Sequence, residues 1–208
     1  MPDFWEALFA TEGALWKFEP SDSALEGIRV FSLEGYHHIL IPGFGYGRNA
    51  KAFIGSGFEV TGIEISGSAI RLAREHGINC LTHHGSVTQM PFDESVFDAV
   101  FCYALIHLLN KTERRYFLNA CYRQLKPGGM MIFVTASTAM NAYTSGRYLS
   151  RNRYQVNNGL RVFFYDDLEI EREFRTFGLV EYRDVLEPVR FMPRQESLPL
   201  KFVLCRKS

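Results

Sequence analysis

Between His38 and Val134 the chain repeats one phrase: a short apolar run, a glycine-bearing turn, then an amphipathic segment closed by a further glycine. The apolar runs are His38-Ile39-Leu40-Ile41, Glu59-Val60-Thr61-Gly62-Ile63, Cys80-Leu81-Thr82-His83, residues 97–102 and residues 130–134. Each is too short for a buried helix and stops at a turn signal, as a strand buried on both faces does. Helical spacing follows at residues 49–54, 68–75 and 112–125. The last of these is expected to turn Tyr116, Phe117, Ala120, Cys121 and Leu125 inward and to stop at Lys126-Pro127-Gly128-Gly129. Strands alternating with helices specify an α/β fold with a parallel sheet, and right-handed crossovers leave few ways to wind it.

The ends of the chain follow other rules. Phe4, Trp5, Leu8, Leu15 and Trp16 fall at helical spacing over residues 4–18 until Pro20 interrupts, and Ser21-Asp22-Ser23 offers capping oxygens for a second helix to about Leu33. Residues 137–161 are polar, aromatic and Arg-rich, without a readable period. A helix is expected over 166–177 with Gly178 as its stop. Strands over 179–185 and 200–204, joined by a connection bearing Pro188, Pro193 and Pro199, are expected to form an antiparallel pair at the sheet edge. The expected architecture is a doubly wound, mostly parallel seven-stranded sheet with a C-terminal antiparallel hairpin and helices on both faces. Residues 1–208 would form one domain, with 1–36 as a helical cap and 137–165 as an insert or lid.

Bulk properties narrow the function. Lys and Arg number 23 and so do Asp and Glu, so the formal net charge is zero. That balance lacks the basic field a phosphate backbone rewards, and no nucleic-acid partner is expected. Cys80, Cys102, Cys121 and Cys205 are scattered without zinc spacing, so they read as reduced core thiols and no metal site is expected. Met1-Pro2-Asp3-Phe4-Trp5-Glu6 has no basic or apolar leader pattern, and no apolar run reaches membrane length. A cytoplasmic protein without a membrane partner, monomeric or homodimeric, is the expectation.

The chemistry concentrates at Ile41-Pro42-Gly43-Phe44-Gly45-Tyr46-Gly47-Arg48. Three alternate glycines let the backbone turn sharply and lie against a ligand, and the following helix presents free N–H groups. Glu64 lies about 20 residues beyond Gly43 at the tip of the second strand, where a carboxylate can accept hydrogen bonds from ribose hydroxyls. Its alternative role, capping the next helix, is already open to Ser66. A nicotinamide dinucleotide fingerprint needs glycine at the sixth position, which Arg48 occupies, and no Gly-Lys-Ser/Thr follows for a nucleoside triphosphate. An NAD-dependent oxidoreductase is thereby demoted to an alternative.

Ile39 to Gly47, Val60-Thr61-Gly62-Ile63-Glu64-Ile65-Ser66, Phe97-Asp98-Ala99-Val100 and Leu125-Lys126-Pro127-Gly128-Gly129 together resemble the class I S-adenosylmethionine-dependent methyltransferases in order and spacing, over about residues 37–136. The resemblance implies S-adenosylmethionine as cofactor and S-adenosylhomocysteine as product. It implies that Gly43, Phe44, Gly45 and Gly47 pass beneath the methionine part, that Glu64 holds the ribose and that Ile65 packs on the adenine. Ser86 and Val87 would surround the adenine edge, and Cys102 and Tyr103 would offer backbone groups near the amino group. Two positions depart from the family: Ile41 stands where an acid is frequent, and Ser86 where Asp is frequent. A group from the N-terminal segment could replace the first. A cofactor-binding regulatory protein without catalysis is the reading these departures keep open.

An Asn/Asp-Pro-Pro-Tyr motif, linked to methylation of base or amide nitrogens, is missing after the fourth strand, where Cys102-Tyr103-Ala104-Leu105 stands. With zero net charge this points to a small-molecule acceptor, methylated by in-line displacement. Ile41-Pro42-Gly43 and the insert before Phe163-Phe164-Tyr165 distantly resemble the thiopurine and tellurite-resistance-type methyltransferases. Candidates for the acceptor side are His107, after the fourth strand, and Tyr143 and Arg147 in the insert. The apolar neighbours of His107 argue for packing over catalysis, and a solvated loop explains the other two as well as a lid does. Trp5, Trp16 and Phe18 are expected to roof the cofactor or to pack in the core.

Overall fold

A computed structural model describes residues 2–94, 96–189 and 197–208, without the side chains of Pro2 and Thr144. Five parallel strands form first: β1 (His38–Pro42), β2 (Glu59–Glu64), β3 (Leu81–His84), β4 (Phe97–Tyr103) and β5 (Leu125–Ala136). Later in the chain, β9 (Leu179–Glu187) and β10 (Leu198–Arg206) complete a seven-stranded sheet of order β3-β2-β1-β4-β5-β10-β9. β10 runs antiparallel to both neighbours. The sheet is the mixed, mostly parallel one expected, with β9 at its edge. Pro193 of the expected connection lies outside the described residues.

Side chains alternate across the strands, and the alternation separates two cores. Leu40, Val100, Cys102, Met131, Phe133, Val203 and Cys205 face α5 (Lys111–Gln124) and α7 (Asp167–Phe174), meeting Phe117, Cys121, Ile170 and Phe174. Ile39, Ile41, Ala99, Phe101, Ile132, Val134 and Phe202 face the opposite way, against Ala24 and Phe31 of α2 (Asp22–Leu33) and Ala50 and Phe53 of α3 (Arg48–Gly55). α4 (Gly67–Glu75) adds Ala73 to this second layer. Among the described residues no helix is long and apolar enough to cross a membrane.

Three local expectations are corrected. The first helix, α1 (Pro2–Glu12), stops well before residue 18, and Gly13 turns the chain with a φ of 60°. On α5 the inward face is Phe117, Leu118 and Cys121, while Tyr116 is 65% exposed, because tertiary burial selects a stripe one residue further round. Lys126-Pro127-Gly128-Gly129 ends the helix as expected but is itself extended, held by Gly128 N–H to Lys207 O and Lys207 N–H to Gly129 O at 3.0 and 2.8 Å.

The irregular stretch is built, not loose. After α6 (Ala142–Ser145), a small antiparallel sheet forms from β6 (Arg147–Ser150), β7 (Arg153–Gln155) and β8 (Arg161–Phe163). Arg153 Nη1 donates to Leu109 O at 2.8 Å, and buried Arg114 stacks 3.9 Å over Phe163 while pairing with Glu173. These contacts fix the insert beyond the C-terminal ends of β4 and β5.

Candidate functional site

A cavity of about 540 Å³ opens at the C-terminal ends of β1 and β4, where the winding of the sheet reverses. Ligands of open α/β sheets bind at such switch points. One wall is the loop after β1. Gly43 and Phe44 donate their N–H groups to Ile63 O at 3.0 and 3.1 Å, which ties the loop to β2. Gly43 has a φ of 67°, and a Cβ there would lie 3.0 Å from Leu105. Ala104 turns the chain to bring Leu105 there, holding a left-handed φ of 55° that a side chain accepts at about 1–2 kcal/mol.

Glu64 ends β2 on this wall and is 6% exposed. Its Oε2 accepts the Gly45 N–H at 2.7 Å, and its Oε1 accepts those of Ile65 and Ser66, both at 2.9 Å. Burial raises its pKa, while the three N–H donors pull the other way. A carboxylate offers about four lone-pair positions, so about one is left for a ligand hydroxyl. The capping alternative is settled by geometry, since Ser66 Oγ caps α4 by accepting the Ala69 N–H.

Of the other expected residues, Phe44, Ile65, Ser86, Val87, Tyr103 and His107 line the cavity. The Ser86 hydroxyl is turned into its own loop, accepting the Thr88 N–H at 3.2 Å. Gly47 is absent from the cavity wall; a Cβ on it would meet Phe44 and Ile78, so its role is packing. Cys102 is fully buried behind the wall, and burial raises its thiol pKa. Tyr143 donates to Asn152 Oδ1 at 3.1 Å and packs on Tyr154 and Phe164, while Arg147 is exposed on β6. Neither of these two lines the cavity: Tyr143, on α6, packs onto Asn152, Tyr154 and Phe164, and Arg147 lies on an exposed strand.

The N-terminal segment forms a roof. Trp5, Phe9 and Trp16 line the cavity, whereas Phe18 stacks on His76 outside it. Tyr46 anchors this roof: its hydroxyl donates to Lys17 O at 2.7 Å and accepts the Trp16 N–H at 3.0 Å, and burial pushes its pKa up to about 12. Glu6 latches α1 to α4, accepting Ser66 Oγ, Ser68 Oγ and the Ser68 N–H at 2.6, 2.6 and 3.1 Å. Those hydrogen bonds, the two hydroxyls foremost, lower its pKa from 4.5 to about 2. The latch is therefore fully set above 4.5 and released only as pH falls through about 2. Glu6→Gln is expected to weaken ligand affinity by the same few-fold factor at pH 5 and pH 8; a loss confined to one of these would remove the charge from the explanation.

The far end of the cavity is apolar. Leu108, Ala136, Val162 and Phe164 form a buried cluster with Trp5, Met140, Ala142 and Leu160 of the cavity wall packed against it. His107 is the polar group at this end. Its Nδ1 accepts the Ala136 N–H at 3.2 Å and lies 3.2 Å from Thr135 Oγ1, and desolvation lowers its pKa from 6.5 to about 4. Glu187, at the end of β9, also reaches the wall, its carboxylate accepting from Ser23 Oγ at 2.6 Å and from the Asp22 N–H. Phe9, Glu6 and Glu187 carry no local motif; only the tertiary fold brings them to this site, whereas Tyr46 stands inside the glycine loop itself.

Residues 39–129 match the family model described as a methyltransferase domain. The ubiquinone biosynthesis O-methyltransferase of Alkalilimnicola ehrlichii is 34% identical over 117 residues, covering 53% of this chain and 46% of that protein. The tRNA N(3)-methylcytidine methyltransferase Mettl2 of Drosophila melanogaster is 26% identical over 102 residues, covering 48% of this chain and 31% of its own length. The chain thus spans less than half the length of these relatives. The crystal structure of Burkholderia thailandensis 1,6-didemethyltoxoflavin-N1-methyltransferase, with 1,6-didemethyltoxoflavin and S-adenosylhomocysteine bound, superposes with a TM-score of 0.75 at 17% identity, covering 100% of this chain and 87% of that one. At that identity the likeness is one of fold.

Proposed function

We propose that the chain is a class I S-adenosylmethionine-dependent methyltransferase that methylates a small-molecule acceptor held between the loop after β1 and the insert. The carrying observation is the cavity itself, about 540 Å³ and walled at its far end by apolar side chains. That volume lies within the range of small-molecule sites, of order 300–1,000 Å³. Relatives act on both kinds of acceptor, since one is named for ubiquinone biosynthesis and another for tRNA. Exposed Arg147, Arg151 and Arg161 on the insert favour an RNA reading, but zero net charge over 208 residues speaks against it.

The residues present fit the cofactor. Glu64 keeps an acceptor position for a ribose hydroxyl, Ile65 and Val87 offer apolar surface to an adenine, and Gly43 and Gly45 leave the loop free of side chains. Trp5, Phe9 and Trp16 present rings, whose faces attract a cation. Glu187 is the anion available to an ammonium group in place of the acid missing at Ile41. When bound, S-adenosylmethionine supplies a methyl group on a sulfonium. The chain's own work is then alignment of the acceptor and exclusion of water, by a cap over 1–36 and a lid over 137–165 of one domain. We take the protein to be cytoplasmic and monomeric or homodimeric.

Calorimetry with S-adenosylhomocysteine is expected to give saturable binding. No heat at millimolar ligand would remove the cofactor assignment. Incubation with S-adenosylmethionine and either apolar small molecules or bulk tRNA is expected to methylate only the former. Methylation of tRNA alone would reverse the acceptor assignment.

A further inference from the structure

Resting on the methyltransferase reading, the geometry points to His107 as a fixed hydrogen-bond donor in the acceptor chamber, and to an acceptor that is an apolar molecule carrying its attacking lone pair free at neutral pH. The backbone N–H of Ala136 donates to His107 Nδ1 at 3.2 Å. A backbone N–H can only donate, so Nδ1 is the bare nitrogen of the ring and the proton resides on Nε2. Moving that proton to Nδ1, or adding a second one there, would set two N–H groups head to head. Burial without a compensating anion works in the same direction, lowering the imidazole to about 4. Among the described residues Nε2 has no hydrogen-bond partner, yet the fully enclosed side-chain atoms lacking a partner there include only Gln124 Oε1. Nε2 therefore reaches the surface of the cavity that His107 lines, and presents an N–H to it.

The other titratable groups on the described wall already hold hydrogen-bond partners. Glu64 is committed to three backbone donors, and Glu113 closes the capping box of α5 by accepting the Asn110 N–H at 2.7 Å. Glu187 holds Ser23 and the N-terminus of α2. Tyr46 spends its hydroxyl on Lys17 and Trp16, and Tyr103 interacts with Arg48. A wall with a donor and, among the described residues, no unengaged base suits a thiolate, an acidic phenolate or a heterocyclic nitrogen, and not an alcohol or an ammonium group. An anionic acceptor gives its lone pair to the methyl carbon and the carbon–sulfur pair stays on sulfur, so anion and sulfonium become two neutral products with no proton moved. His107 is thus a positioning residue: its Nε2–H locates an oxygen or nitrogen of the acceptor, while Leu108, Val162 and Phe164 hold the apolar body.

Two measurements test this. Histidine-selective ¹⁵N spectra of the full chain, with and without S-adenosylhomocysteine, are expected to show His107 as the neutral Nε2–H tautomer throughout pH 5.5–8.5, above its lowered value of about 4. An Nδ1–H tautomer, or titration near the ordinary 6.5, overturns the donor role. In the second, 4-nitrophenol is titrated into the protein loaded with S-adenosylhomocysteine and followed by its phenolate absorbance. Binding is expected as the phenolate, weakened about tenfold in His107→Phe and largely kept in His107→Gln, which retains an N–H donor. Binding only as the neutral phenol, equal binding by His107→Phe, or no binding while S-adenosylhomocysteine still binds, overturns the acceptor class. Failure of S-adenosylhomocysteine itself to bind would strike the methyltransferase reading instead.

Discussion

Glu64→Ala is expected to lower S-adenosylhomocysteine affinity by about 3 kcal/mol, roughly a hundredfold, in calorimetry. Two losses combine. The ligand loses a hydrogen bond to a charged acceptor, and the N–H groups of Gly45, Ile65 and Ser66 lose the carboxylate that fixes the loop against β2. The carboxylate is what matters, so Glu64→Gln is expected to fall between wild type and alanine. Its amide has one acceptor oxygen to serve donors on both sides, and its NH₂ would face an N–H. The pH dependence follows in sign. Burial raises the pKa of Glu64, so affinity falls as pH drops through that raised value, because the protonated carboxyl turns one acceptor oxygen into a donor. In Glu64→Gln this acid limb is expected to vanish. An alanine variant that binds as well as wild type would show that Glu64 serves the loop and not the ligand.

The parallel sheet and the glycine loop are legible in the sequence because their signals are local. A short apolar run ending in glycine is a buried strand wherever it packs, and β1, β2 and β4 end within a residue of the expected boundary. Glu64 is legible for the same reason, since strand length sets the distance from Gly43 to the strand tip. The insert is not. β6 is exposed at all four of its residues and β7 and β8 have three each, so no alternation marks them. Lys126 to Gly129 pairs with Lys207, and a partner so distant leaves no trace in the turn residues themselves. Tyr143 and Arg147 suit a binding role as residue types, but their side-chain directions depend on the packing of α6 and β6 against distant partners, which leaves no mark in the local sequence. Glu187 and Phe9 reach the cavity only through tertiary packing, which no spacing rule encodes.

Gly62 lies in the middle of β2 and shows how the loop and the sheet depend on each other. Gly62→Ala is expected to cost about 1–3 kcal/mol of stability, as overpacking of a filled core does, and to weaken S-adenosylhomocysteine about tenfold. Its backbone needs no special conformation; the constraint is space. An added Cβ would lie 2.5 Å from Phe44 Cδ2, 2.8 Å from Cγ and 3.1 Å from Cβ. Cβ and Cγ are the rooted end of that side chain, so rotation of the ring cannot clear them and the backbone of the loop must move. Phe44 stands between Gly43 and Gly45, whose N–H groups go to Ile63 O and Glu64 Oε2, so the shift reaches the carboxylate that serves the ligand. For a chain of this size 2 kcal/mol corresponds to a lowering of the melting temperature by about 4–8 °C. Gly62→Ala combined with Phe44→Ala is expected to lose less than the two single variants together, because alanine lacks the Cγ and Cδ2 atoms that the new methyl group meets most closely. Two losses that simply add in this double-mutant cycle would show that Gly62 and Phe44 act independently, and that the close packing of loop on strand does not shape the cofactor wall.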